Sequence, residues 1–322
     1  NVLIGRALGA VLILLTVGEL FYSQGIIYRP APKEFFYPET PSLKFLTEKL
    51  KGSPFRVASL TDFRGGLTYL SMEPGPSTLM PFGLEDIGGN EGLAPRRQLL
   101  LYSMMQRNPR KPLQVMTRRT ELRYGFVRSK VFDLLNIKYL ITTVDRTPPR
   151  DWDRNRFRVV YSNELVIYEN RSVLPRAFVV PRAEVITSGA ETLKRLLDPA
   201  YNPREIVFLE EAVNRRALPG SPESPTSVSI QKYEPEYASF KVAGGGGFLV
   251  LSDTYHSGWK VRVDGHPAHL YRANYFMRAV AVPAGEHHVE FEYRPFYFRL
   301  GVWIASLSLM VGVAFIIGTR KR

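Results

Sequence analysis

The sequence predicts an α+β domain outside the cytoplasm, followed by an all-β module of sandwich or jelly-roll type, with a transmembrane helix on each side. Three observations predict this class. Apolar runs lie near both ends of the 322 residues. The last third carries short, regularly spaced strand patterns with Gly turns, which is typical of sandwiches. The stretch between them mixes helix and strand patterns, and the length allows one or two domains beside membrane spans.

The first predicted element is a transmembrane helix at residues 1–23. Its apolar run has about the ~20 residues that a helix needs to cross a bilayer. Arg6 and Glu19 lie near the two ends, where charged groups can reach the headgroups. The chain opens on Asn1 inside this run, so we expect it to be part of a longer protein. A mature N-terminus after signal-peptide removal is the alternative, but no small-residue cleavage pattern follows the run.

Residues 24–215 form the predicted α+β domain. Apolar spacing and Pro, Ser or Thr start signals indicate its helices, and alternating or β-rich runs indicate its strands. A Gly- and Pro-rich loop occupies 61–92. The predicted helices are 43–50, 95–106, 129–135 and 190–197, and the predicted strands are 55–60, 138–143, 156–161, 165–168, 176–181, 184–186 and 205–209.

A linker rich in Pro, Gly and Ser is predicted at 216–226, and the all-β module follows at 227–296. Asp264 and Gly265 stand between alternating runs and give the strongest hairpin signal of the chain. Further turns are predicted at the glycines of 244–247, at 257–258 and at 284–285. The predicted strands are 227–233, 237–242, 247–253, 260–263, 269–273, 277–281 and 287–293.

The last predicted element is a transmembrane helix at 299–318 with a short tail at 319–322. Residues 300–318 carry no charge, and Trp303 with the aromatic residues at 296–298 fits an interfacial belt. Positive residues beside membrane spans stay in the cytoplasm. The basic tail and Arg6 therefore predict that both ends are cytoplasmic and that 24–299 lies outside.

The formal charge of +13 is concentrated between residues 96 and 130, where ten Arg and Lys stand against one acid. Arg118, Arg119 and Arg123 are the predicted contacts with an anionic surface such as lipid headgroups, lipid-linked phosphates or acidic glycans. A solvated basic face explains the same pattern equally well. No nucleic-acid-binding motif is present, so we do not expect nucleic acid as a partner.

Several short motifs together resemble one family. They are Ser252-Asp-Thr-Tyr-His-Ser-Gly-Trp259, Val263-Asp-Gly265, Tyr271-Arg-Ala-Asn-Tyr275 and Val282-Pro-Ala-Gly-Glu286 near the end, and Lys33-Glu-Phe-Phe-Tyr-Pro-Glu-Thr-Pro41, Leu84-Glu-Asp-Ile-Gly-Gly89, Asp133-Leu-Leu-Asn-Ile-Lys-Tyr-Leu140, Tyr168-Glu-Asn170 and Leu174-Pro-Arg-Ala177 upstream. The set resembles the bacterial membrane protein YfhO family across nearly the whole chain, although no single motif is a chemical signature.

This resemblance implies a multi-pass protein of the bacterial inner membrane with a glycosyltransferase C-type core. Such a protein would move a sugar from a polyprenyl-phosphate donor to a cell-envelope glycopolymer on the outer face. The family's catalytic acids lie near the first spans, upstream of this chain, so we assign no catalytic residue here. The region is expected to dock the acceptor or to support the membrane core. The alternatives are a non-enzymatic module that binds or helps export polysaccharide, and a purely structural brace.

A glycan groove is predicted where a strand runs into a Gly turn, because aromatic rings stack on sugars and polar groups bond their hydroxyls. Its predicted residues are Asp253, Tyr255, Trp259, Arg272 and Asn274. The alternative is structural: Asp253 caps the turn and Trp259 packs between sheets.

Other candidate residues have a simpler interpretation. Glu85 and Asp86 are adjacent acids in a Gly-rich loop, and their side chains are expected to point apart, which favours loop fixation over an acid–base pair. His287 and His288 are neighbours on a strand and lack the spacing of a zinc site. We therefore expect neither a metal nor a cofactor in this region.

The basic segment yields one testable prediction. If it contacts anionic lipid or lipid-linked phosphate, replacing Arg118, Arg119 and Arg123 with Gln weakens binding of the isolated domain to anionic vesicles in a flotation assay. The loss is largest at low salt, because salt screens exposed charges beyond roughly 8–10 Å at physiological ionic strength. Equal binding of both proteins at low salt would leave only the solvated face.

Overall fold

The computed structural model describes residues 2–27, 39–60, 79–88, 95–105, 127–144, 148, 152–213 and 225–320. Residues 1–45 and 46–322 form two compact units, which are described separately. The predicted anionic-surface contacts Arg118, Arg119 and Arg123 lie outside the described residues, as does most of the predicted linker.

The first unit contains helix α1, Val2–Ile27. Its apolar part among the described residues, Ala7–Ser23, is slightly shorter than the ~20 residues that a membrane span typically needs. In the second unit, residues Phe296–Thr319 of the final helix are long and apolar enough to cross a bilayer. None of the most apolar stretch of this helix is buried in the protein. The two-helix flank and the placement outside the cytoplasm therefore stay predictions.

Apart from the long final helix, the remaining described helices are short. Helix α2 is Pro41–Leu50. It is followed by a 3-10 turn at Met80–Phe82, α3 at Arg96–Met105, α4 at Val131–Leu134, α5 at Gly189–Leu196 and α6 at Phe296–Arg320. Ser188 precedes helix α5 as its N-cap, and its side chain accepts a hydrogen bond from the backbone N–H of Glu191, as expected of a capping serine.

Sixteen strands are present in the described part of the chain. The first eight are β1 Arg56–Ser59, β2 Glu85–Asp86, β3 Ile137–Thr143, β4 Phe157–Ser162, β5 Leu165–Asn170, β6 Ala177–Val180, β7 Arg182–Val185 and β8 Ile206–Leu209. The other eight are β9 Ser227–Glu234, β10 Tyr237–Gly244, β11 Gly247–Thr254, β12 Trp259–Val263, β13 His266–Ala268, β14 Tyr271–Ala273, β15 Met277–Val282 and β16 Gly285–Tyr293. The α+β class is therefore confirmed.

The strands form three sheets. Sheet 1 has the order β2-β1-β3-β5-β4, sheet 2 has β13-β12-β16-β10-β9, and sheet 3 has β6-β11-β15-β14-β8-β7. Sheet 1 is mixed, because β1 pairs in parallel with β2 and β3 while β5 is antiparallel to β3. Strands from both sides of the predicted linker share sheet 3, so the division into two domains at 216–226 stays a prediction.

Strand β11 of sheet 3 is buried on both faces. Along β11, Phe248 and Val250 join one apolar cluster with sheet 1 and the helices, whereas Leu249 and Leu251 join a second cluster with sheet 2. Side chains alternate between the faces of a strand, so a strand covered on both sides must be apolar throughout. This explains the unbroken apolar run at 248–251.

One predicted strand is wrong. Residues 269–273 were expected to form a single strand, but β13 ends at Ala268 and pairs with β12 in sheet 2, while β14 begins at Tyr271 and pairs with β15 in sheet 3. The chain changes sheets between them, and a continuous apolar–polar alternation does not reveal such a crossing. The Asp264–Gly265 hairpin is confirmed, with both residues at positive φ (51° and 76°), as a primed two-residue turn requires.

Candidate functional site

Two polar clusters occur around the predicted groove. The Asp253 cluster consists of Asp253, Glu85, Tyr233 and three arginines, Arg56, Arg176 and Arg278. The Glu210 cluster consists of Glu210, Arg97, Arg272, Tyr255 and Tyr275. The first is buried and joins the three sheets, whereas the second reaches solvent.

Asp253 lies at the centre of the first cluster, 9% exposed near the end of β11. One carboxylate oxygen accepts from Arg56 (2.7 Å) and Arg176 (3.2 Å). The other accepts from Arg278 (2.8 Å) and from the hydroxyl of Tyr233 (2.7 Å). Both oxygens are therefore engaged with protein groups, and the prediction that Asp253 lines a glycan groove does not fit its position.

The surroundings of Asp253 determine its charge. Burial raises the pKa of this carboxyl, but attraction by Arg56, Arg278 and Arg176 and the hydrogen bond from Tyr233 outweigh burial and lower the pKa to about 2. Burial and the neighbouring Asp253 charge raise the pKa of Tyr233, so the phenol keeps its proton and remains a donor. Asp253 is thus ionised at neutral pH, and Tyr233 is neutral.

The arginines outnumber the acids in this cluster. Three guanidinium groups face two carboxylates, Asp253 and Glu85, which leaves one positive charge in excess. Arg176 is 0% exposed and Arg278 is 4% exposed. Arg278 Nε and Nη1 have no hydrogen-bond partner among the described residues. The guanidinium of Arg278 instead lies 3.9 Å from the centre of the Trp259 ring, which favours the cation through the negative face of the ring.

Trp259 is half-buried at the start of β12. One face of its indole is covered by Arg278, and the Tyr293 ring lies 5.2 Å away. The side chain also packs against the apolar cluster between sheets 2 and 3. These contacts favour the packing interpretation of Trp259 over an open sugar platform.

Asn274 is also structural in its position. It is 1% exposed and lies in the β14–β15 turn with φ of 46°. Its carbonyl oxygen accepts from the backbone N–H of Phe208 (3.0 Å) and from Tyr201 Oη (3.4 Å). A side chain buried in this way does not reach a glycan, so its predicted place in the groove is also not supported by the geometry.

Tyr255 and Arg272 remain as partly exposed members of the predicted groove. The Arg272 guanidinium lies 4.5 Å from the Tyr255 ring centre and donates to Glu210 (3.1 Å). Glu210 also binds Arg97, which donates to the carbonyl of Tyr275 (2.9 Å). Side chains of Arg97 and Arg272 are 36% and 33% exposed. One carboxylate therefore holds two arginines beside an aromatic ring at the surface.

Tyr275 fixes one edge of the Glu210 cluster through an unusual backbone. Its φ of 75° is rare for a bulky residue. The ring lies so close to Gly189, at the start of α5, that a Cβ there would be 3.1 Å from Tyr275 Cε2. The Arg97 guanidinium lies 5.0 Å from the centre of the Tyr275 ring. Packing on both elements holds the strained turn.

Glu85 and Asp86 point to different partners, as predicted. Glu85 accepts from Arg176 (2.5 Å), whereas Asp86 accepts from the backbone N–H of Gly88 (2.8 Å). Burial raises the pKa of Asp86 to about 7, against the opposing effect of backbone hydrogen bonds from Gly88 and Ile87. The two carboxyls do not form a pair around a common point, so the geometry does not favour joint acid–base chemistry.

His287 lies in a shallow depression of about 370 Å³ on sheet 2. Its Nδ1 is 2.7 Å from Asp264 Oδ2, and this hydrogen bond raises the pKa of His287. His288 is more exposed and lies near Glu290. Across the part of the chain that the structure describes, no group of three or more His, Asp or Glu side chains is arranged to hold a metal ion.

Sequence reasoning missed the partners of Asp253 and Arg272. Arg278 had a detectable signal, because it interrupts an otherwise apolar strand, Met277–Val282, and a buried arginine needs an acid or an aromatic partner. Arg56, Arg97 and Glu210 had none, since they are more than 60 residues away from their partners in sequence.

The Asp253 cluster yields a prediction with a defined pH dependence. We expect Asp253→Asn to lower the free energy of unfolding by about 3–5 kcal/mol at neutral pH, because three buried guanidinium groups lose their charge partner. The folded pKa is below the unfolded one, so the carboxylate's contribution, about 2 kcal/mol, is complete above about pH 4 and is lost as the pH falls toward 2. Urea unfolding at several pH values in this range measures the free energy of unfolding of both proteins.

Asp198→Asn is the matched control, since Asp198 is exposed and should change stability little. The difference between wild type and Asp253→Asn should narrow on acidification. A variant as stable as wild type at neutral pH, or a difference that does not vary with pH, would show that the ionised carboxylate contributes nothing to the fold.

Comparison with known proteins agrees with the predicted family. The family model described as bacterial membrane protein YfhO matches residues 224–305. A protein of Bacillus subtilis (strain 168) named uncharacterized protein YfhO is 28% identical over 69 residues, which are 21% of this chain and 8% of that protein. No solved structure matches the chain significantly. The matched part thus covers far less than two thirds of this relative, and it contains β9 to β16 and the start of α6. The predicted resemblance to the bacterial membrane protein YfhO family is therefore confirmed over residues 224–305.

Proposed function

We propose that this chain is the membrane-anchored docking and support region of a glycosyltransferase-like protein of the bacterial cell envelope. Family membership supports a membrane protein of this kind. A sandwich of sheets 2 and 3, which includes β6 to β8 as well as the all-β part, supplies a rigid base, and α6 anchors it in the bilayer. The Glu210 cluster is the docking site for the glycan acceptor.

The arrangement of the Glu210 cluster is the single observation that carries the docking role. Two partly exposed guanidinium groups flank one carboxylate and a half-buried tyrosine ring. Guanidinium groups donate to sugar hydroxyls and to anionic substituents. The shared carboxylate keeps both arginines in place before a ligand arrives, which reduces the ordering cost of binding.

The whole protein's activity belongs to this proposal. Sugar transfer from a polyprenyl-phosphate donor to an envelope glycopolymer would take place in an upstream membrane core. Both α1 and α6 would cross the inner membrane, with the intervening residues on the outer side and no metal or cofactor in this region. The runner-up is a non-enzymatic anchored module that binds or helps export polysaccharide, and an acidic loop between the first spans of the upstream core would distinguish the two.

A binding experiment tests the docking role. We expect Arg272→Gln to weaken binding of purified envelope glycan to the detergent-solubilised chain by about tenfold or more, because a hydrogen bond to a charged group is worth roughly 1.5–3 kcal/mol. Tyr255→Ala should weaken binding as well. Isothermal titration calorimetry measures the affinity, and thermal melting of each variant checks that it is folded.

Arg262→Gln is the matched control, because Arg262 is an exposed arginine on sheet 2, away from the cluster. It should bind glycan like wild type. If Arg272→Gln and Tyr255→Ala stay folded and bind as tightly as this control, the Glu210 cluster has only a supporting role.

A further inference from the structure

The sandwich is joined to the apolar helix by a very short connection. Strand β16 ends at Tyr293 and α6 begins at Phe296, so only Arg294 and Pro295 lie between them. The backbone N–H of Tyr293 donates to the carbonyl of Glu236, and that of Arg294 donates to the carbonyl of Gly258, both at 2.8 Å. The β9–β10 turn and the β11–β12 loop therefore hold the end of β16 from two sides.

Gly258 brings the β11–β12 loop against this junction. A Cβ at Gly258 would lie 2.9 Å from Cε2 of Tyr293 and 3.2 Å from Cα of Pro295. Such distances leave no room for a side chain, so the loop backbone contacts the connection itself. The neighbouring His256 and Ser257 are exposed. The loop thus presents its polar tip directly beside the first turn of α6.

The first turn of α6 has the character of a membrane interface. Phe296, Tyr297 and Phe298 are 69%, 84% and 70% exposed. Three adjacent aromatic side chains with this exposure are unfavourable in water, whereas aromatic residues are enriched where headgroups meet the apolar layer. The uncharged run of the helix follows immediately after Arg299.

From these contacts we propose that loop 255–258 rests on the phospholipid headgroups and seats the sandwich directly on the bilayer surface. This inference depends on the proposed anchoring by α6. Three residues span at most about 10 Å, so Tyr255, and with it the Glu210 cluster, lies close to the plane of the headgroups. A ligand of that cluster therefore approaches along the membrane surface.

The chain contains no cysteine, so Ser257→Cys provides a single site for an environment-sensitive fluorophore. The labelled chain is reconstituted in phosphatidylcholine vesicles with a nitroxide quencher on the headgroups. We expect quenching several-fold stronger than for the control His266→Cys. That control lies beyond the far end of β12, since Trp259 pairs with Tyr293 but Val263 pairs with Val289, about 13 Å further along β16.

A third labelling site distinguishes the headgroup contact of loop 255–258 from the anchoring by α6, on which it depends. Gly312→Cys lies within α6 and should be quenched by nitroxide on the acyl chains. If Gly312→Cys is quenched, α6 is in the bilayer. If Ser257→Cys is then quenched no more than His266→Cys, the loop does not rest on the headgroups. If Gly312→Cys is not quenched, α6 does not enter the bilayer, and both proposals are wrong.

Discussion

Three arginines from three parts of the chain meet at one buried carboxylate, and the arrangement of the sheets depends on that meeting. Arg56 comes from sheet 1, Arg176 precedes the edge strand of sheet 3, and Arg278 lies on β15. Asp253 contacts all three, and Tyr233 of sheet 2 donates to it as well. Because charged groups cannot be buried without partners, alternative packings of these sheets would leave guanidinium groups unpaired.

A buried ion cluster is weak evidence for high stability, since desolvation offsets much of its Coulomb attraction. Its value here is in fixing position. The apolar clusters on the two faces of sheet 3 tolerate small shifts, because dispersion contacts are not directional. Hydrogen bonds from Arg56 and Tyr233 to the same carboxylate have defined geometry and thus set how sheets 1 and 2 meet β11. Strand β11 leads into Tyr255 and the loop beside α6. The position of the Glu210 cluster therefore depends on the Asp253 cluster.

The sequence predicted local structure well and contacts between distant parts of the chain poorly, for physical reasons. The Asp264–Gly265 turn, Gly244, Gly246 and Gly247 need backbone conformations with positive φ, which residue type alone reveals. The break between β13 and β14 and the sharing of sheet 3 by strands on both sides of residues 216–226 depend on pairing with strands that are distant in sequence, and no local pattern records such pairing. For Asp253 the sequence suggested a turn cap or a groove, because its arginine partners are distant in sequence.

A double-mutant cycle between Arg56→Met and Asp253→Asn tests the central claim most directly, because the two residues belong to different sheets and contact at 2.7 Å. The free energy of unfolding is measured by urea for the wild type, the single variants and the double variant in detergent. If the contact couples sheet 1 to sheet 3, the double variant is more stable than additivity predicts, with a coupling of roughly 1–3 kcal/mol. Additivity within about 0.5 kcal/mol would contradict the account, since it would mean that the sheets are positioned by apolar packing alone.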